Sequence, residues 1–166
     1  MKQYFSILFF LLLGQLSFAQ NLPDYTNIKL DKKEDFTKEA NDAALQASNF
    51  ILSTPLVKDN MDRLKSTQYI LRWMTGTPDF TFSIDEEATK IAKKDNDLLG
   101  LYLAAMTKYA LENPADSKDA VKVKLNAVKS VITYAKNAKN NVKINGEIKK
   151  LIEADYKGQL PAYLKI

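Results

Sequence analysis

The chain has no cysteine and no histidine, and only five glycines and five prolines in 166 residues. Without a thiol or an imidazole there is no Cys nucleophile, no Ser-His-Asp triad, and no zinc or haem site built on His or Cys. Disulfides are excluded too, so stability has to come from a packed core. The length suffices for one core, since a domain near 150 residues buries about 68–70% of its unfolded surface. Also absent are a Gly-rich phosphate loop, G-x-S-x-G and S-x-x-K, and no cofactor is expected. Arginine is scarce: Arg63 and Arg72 are the only two. What remains, 46% hydrophobic and 27% charged, is the composition of a folded globular protein.

The N-terminus departs from that composition. Lys2 is the only charge in Met1–Ala19, an apolar run follows from Tyr4 to Leu13, and Ser17-Phe18-Ala19 supplies small residues around a cleavage position. This is the pattern of a secretory signal peptide. The run is about ten residues, against roughly twenty for a spanning helix. The sequence therefore predicts cleavage between Ala19 and Gln20, export to the periplasm or beyond, and no transmembrane span in the mature chain. Export argues against ATP-dependent chemistry and against nucleic acid as a partner.

In the mature chain the prolines at 23, 55, 78, 114 and 161 separate apolar-periodic stretches. Residues 20–34 show no period and read as an N-terminal arm; 35–166 read as one helical domain. The first helix is expected over Asp35–Ser53, with Phe36, Ala40, Ala43, Ala47 and Phe50 on one face. The second, Lys58–Met74, places Met61, Leu64, Leu71 and Met74 together, with Gly76 as its stop. The third, Ile84–Lys94, begins with a Ser83/Glu86 capping box. Asp97–Glu112 is apolar nearly all round yet too short and polar to span a membrane, so it is expected at the centre of the core. The fifth, Ser117–Asn140, aligns Val121, Leu125, Val128, Ile132 and Ala135. The sixth, Asn145–Tyr156, buries Ile144, Ile148, Leu151 and Ile152, after which Gly158 and Pro161 release the tail. No segment recurs at a fixed period. The expected fold is all-α, a single irregular bundle of about six helices behind a cleavable signal peptide.

Few features carry chemistry. The acidic groups Asp85-Glu86-Glu87 and Asp95-Asn96-Asp97 are most simply helix-start charges, because sequence neighbours on a helix point apart and cannot form a catalytic carboxylate pair alone. Asp95-Asn96-Asp97 also opens like a calcium loop, but Leu99 and Met106 stand where oxygen ligands are needed, and no metal is expected. Tyr25 and Lys29 have a reductase-like spacing without the phosphate loop that would give it meaning. The unusual linker runs from Thr75 to Phe82: with Trp73 it offers Asp79, Phe80 and Phe82 as a candidate ligand-binding loop, or a plug over the end of the bundle.

Charge is uneven. Residues 20–100 hold 11 basic and 14 acidic residues, net −3, while 101–166 hold 12 basic and 6 acidic, net +6. Lys118, Lys122, Lys129 and Lys136 form a candidate basic surface. Lysine point charges suit loose attraction to an anionic surface better than nucleic-acid readout, which favours arginine forks. The functional expectation is an exported, non-catalytic helical interaction or binding module of the cell envelope, its partner an anionic envelope component or another protein. The alternative is a carboxylate-based hydrolase of envelope glycans, which requires two acids lining a cleft beside Trp73.

Overall fold

One polar side chain fixes the start of each long helix. The computed structural model describes residues 22–82, 86–92 and 95–166, with side chains for all of these except 87–89. Among them are seven α-helices and no strand: α1 Lys38–Ser53, α2 Met61–Gly76, α3 Glu86–Ala92, α4 Asn96–Glu112, α5 Ala120–Lys136, α6 Gly146–Tyr156 and α7 Leu160–Tyr163. Thr37, Asn60, Asp95, Asp119 and Asn145 accept first-turn N–H groups of α1, α2, α4, α5 and α6. The expected starts of α1, α2 and α5 lie about a turn too early, because the side chains of Thr37, Asn60 and Asp119 fix the first turns. Lys33–Asp35 and Ala138–Asn140 are separate 3₁₀ turns. The signal peptide and the Ser83 capping box fall outside the described residues.

The fourth helix is central, as its all-round apolarity predicts. It packs against α1, α2, α3 and α5, and Leu101, Tyr102, Leu103, Ala104 and Met106 are all buried. Small residues set the distances around it. Ala40, Ala43, Ala44 and Ala47 of α1 are fully or almost fully buried and let neighbouring helices come close. At Gly100 a Cβ would stand 2.9 Å from the Thr67 hydroxyl, so α2 crosses α4 where only hydrogen fits.

Three expectations need correction. Met61, Leu64 and Leu71 do not face the core: they are 58%, 47% and 44% exposed. The buried side of α2 is instead Arg63, Ser66, Tyr69, Ile70, Trp73 and Met74. Val121 and Ile144 are likewise exposed; of the face expected on α5, Val128, Ile132 and Ala135 are buried, and Val123, Ala127 and Val131 are buried with them. Nor is the C-terminus released. Gly158, at φ 68, ends α6 in a Schellman turn, with the Gln159 N–H on the Ala154 carbonyl and the Gly158 N–H on that of Asp155. Pro161 then lies in the first turn of α7, where its missing N–H costs nothing, and Leu160 and Leu164 are buried. The arm is anchored too: the Tyr25 ring stacks on Tyr69 at 4.7 Å and its hydroxyl lies 3.2 Å from that of Ser66.

Candidate functional site

The loop after α2 closes over its own helix. Trp73 is fully buried, and its indole N–H donates to Asn41 Oδ1 at 2.8 Å, tying α2 to α1. Phe80 and Phe82 lie against the indole at centroid distances of 5.4 and 5.7 Å and 6.3 Å from each other. Both are half-buried, while Asp79 is exposed. A recess of about 320 Å³ beside them is lined by Leu71, Met74, Thr75, Thr77 and Thr81 with the two phenylalanines. No acid lines it.

The lysines are only partly a row. Lys122, Lys129 and Lys136 are exposed along α5, but Lys118 lies in the turn before the helix. Lys122 is paired with Asp116 at 2.7 Å. That hydrogen bond holds the Asp116 carboxyl below its usual value and raises the Lys122 amine. The sequence reading missed this neutralising acid because it stands just ahead of the lysines.

Polarity concealed a third place. Arg63 is 3% exposed, deep between α1, α2 and α5. Its Nη1 donates to the carbonyls of Ile51 (3.0 Å) and Thr54 (3.3 Å), so a cation sits on the C-terminal end of α1 where the helix dipole favours it. Its guanidinium carbon lies 5.7 Å from the Tyr134 ring centroid. Burial lowers the Arg63 pKa and raises that of Tyr134. Nη2 has no hydrogen-bond partner. Arg63 lines an open cleft of about 370 Å³ between the starts of α2 and α4, with Val57, Met61 and Leu64 among its walls.

The chain leading into α2 is held firmly. Tyr134 Oη donates to the Thr54 carbonyl, the Leu56 N–H to the Asn140 carbonyl, and Asn141 Nδ2 to the Leu56 carbonyl. Asp59 then takes φ 58, which turns the chain so that Asn60 can cap α2. The outcome is an exposed apolar stripe of Val57, Met61, Leu64 and Leu71 beside a cleft bearing a buried cation. No sequence period signals it, because periodicity assigns the same residues to the core.

Among the described residues no helix is long and apolar enough to cross a membrane, and no group of three or more acidic side chains is placed to hold a metal. No protein-family model, no curated protein and no solved structure matches this chain.

Proposed function

We propose that the chain is an exported, non-catalytic binding module of the cell envelope, and that its working surface is the outward side of α2. The signal-peptide pattern of Met1–Ala19 supports export. The observation that carries the rest is the exposure of Val57, Met61, Leu64 and Leu71, four of the eight exposed large hydrophobic side chains among the described residues, on one helix and the turn before it. Clustered exposed apolar residues mark interaction sites far better than scattered ones. An apolar surface favours another protein, or a ligand with an apolar part, over a purely anionic envelope component. The glycan-hydrolase alternative needs two acids across a cleft beside Trp73, and the recess there is lined by apolar side chains and threonines.

The test compares the mature chain with a Met61→Glu, Leu64→Glu, Leu71→Glu triple variant. Sites this exposed change stability little, so both should melt alike. Retention of the parent on an envelope fraction from the native host, and loss of it in the variant, is the expected result. Equal retention of the two, or absence of retention in both, contradicts the reading. Release of new reducing ends from envelope glycan by the parent would replace it with the hydrolase.

A further inference from the structure

We infer that the outward face of α2 docks an acidic amphipathic helix of a partner protein, paired along α2 as one strand of a short coiled coil. This deepens the reading of α2 as the working surface and rests on it.

The spacing of the exposed residues carries the argument. Met61, Leu64, Gln68, Leu71 and Thr75 follow one another at +3, +4, +3, +4, and all are exposed. That is the a/d seam of two heptads, the stripe one helix presents to another. The bundle does not use it, because Tyr69, Ile70, Trp73 and Met74 bury the opposite side of α2. The helix meets a partner already formed, so the cost of ordering falls on the partner's segment alone. At the far end of the seam, Leu71 and Thr75 border the recess of about 320 Å³ beside Phe80 and Phe82, which has room for one large apolar side chain.

Charge selects the partner. Lys65 and Arg72 each follow a leucine of the seam, in the e positions that set partner choice in coiled coils. Both are exposed, and among the described residues neither is in an ion pair. Asp24 and Asp62 share a recess with them. The Asp24 carboxylate, however, accepts from Thr26 and Asn27, and Asp62 lies further round the helix from the seam. The other flank, Asn60, Thr67 and Met74, is uncharged. A second copy does not answer these cations. Paired antiparallel, it sets Lys65 and Arg72 against their own counterparts; paired parallel, it brings only Asn60, Thr67 and Met74. A partner helix with acidic residues seven apart beside its apolar stripe does answer them. Gln68 argues for a helix over an anionic lipid surface: in mid-seam a polar side chain fixes the register of a helix pair, whereas against acyl chains it only interrupts the apolar face.

Fluorescence anisotropy on the mature chain tests this with two labelled three-heptad peptides. Both carry Leu at a and d; one has Glu and the other Lys at every e and g position. The Glu peptide should bind, and the Lys peptide should bind about tenfold more weakly or not at all. Lys65→Glu combined with Arg72→Glu should reverse that preference, whereas a purely structural loss would weaken both peptides. Leu64→Glu combined with Leu71→Glu should lose the Glu peptide while melting like the parent. Equal binding of the two peptides, an unchanged preference in the charge-reversed variant, or no binding of the Glu peptide overturns the inference. Binding of the parent to phosphatidylglycerol vesicles without binding of the Glu peptide also overturns it and gives the face to a lipid surface. A parent dimer that Leu64→Glu dissociates overturns it in favour of a second copy. Failure of the peptides while the triple variant still loses envelope retention removes this inference alone. Full retention of that variant removes the α2 reading beneath it.

Discussion

Arg63 and Tyr134 converge on one main-chain oxygen. The arginine donates to the Thr54 carbonyl at 3.3 Å, the tyrosine hydroxyl donates to the same atom, and the guanidinium lies by the tyrosine ring. The end of α1, the buried side of α2 and the last turns of α5 are thereby joined at one point. Tyr134→Phe removes the hydroxyl and keeps the ring, and should cost about 1–2 kcal/mol. Tyr134→Ala also opens a cavity and exposes the guanidinium to loss of its neighbour, so about 3–5 kcal/mol is expected. Urea melts of the two variants measure the difference, and equal values would show that the ring contributes nothing.

Trp73 is the only tryptophan in the chain, so its fluorescence reports directly on the loop that covers it. Emission should be blue-shifted and poorly quenched by acrylamide. Phe80→Ala and Phe82→Ala should each shift emission to the red and raise quenching, because both rings lie on the indole. Unchanged quenching in the double variant would mean that the loop does not cover Trp73 in solution.

The core was legible wherever apolar pattern and burial coincide. The alanine face of α1 and the all-round apolarity of α4 could be read from spacing alone, and both are buried as expected. Helix α2 could not. Its inner face includes Arg63 and Ser66, which burial tolerates because main-chain carbonyls at the end of α1 and the Tyr25 hydroxyl receive them. Its outer face holds Met61, Leu64 and Leu71, which spacing assigns to the core. Those partners are 9 to 41 residues away in sequence, and a local pattern has no access to them. The candidate cleft was hidden for the same reason.

Leu101→Ala or Leu103→Ala should cost about 2–5 kcal/mol, since each leaves a cavity at the centre of the bundle. Met61→Ala, on the exposed side of α2, should stay within about 0.5 kcal/mol of the parent. Thermal melts in parallel separate the two classes. A Met61→Ala loss as large as that of Leu103→Ala would mean that the outward side of α2 is packed.

Stability should fall at high pH. Burial raises the pKa of Tyr25, Tyr69 and Tyr134 above the ordinary tyrosine value near 10. The folded chain therefore keeps protons that the unfolded chain releases above that value. The stabilisation from neutral tyrosines is complete below about pH 10 and is lost as pH rises through the higher folded values. Melts from pH 8 to 11.5, with tyrosinate absorbance followed at 295 nm, test this. If replacing Tyr25, Tyr69 and Tyr134 with Phe lowers the tyrosinate absorbance that the folded parent shows near pH 10, these hydroxyls ionise as exposed ones do, which would contradict their burial.

Replacing Lys122, Lys129 and Lys136 together with Glu should leave envelope retention unchanged, because the proposed working surface is on α2. The Lys122–Asp116 pair is exposed and contributes little in salt. A steep, salt-dependent loss of binding in this variant would move the working surface to α5.

The most direct measurement places a photo-crosslinking residue at position 64 in one sample and at position 136 in another, each expressed in the native host and irradiated in the intact envelope. A discrete adduct at 64 and none at 136 is the predicted result. An adduct at 136 with none at 64 contradicts the assignment of the α2 surface as the face through which this chain works.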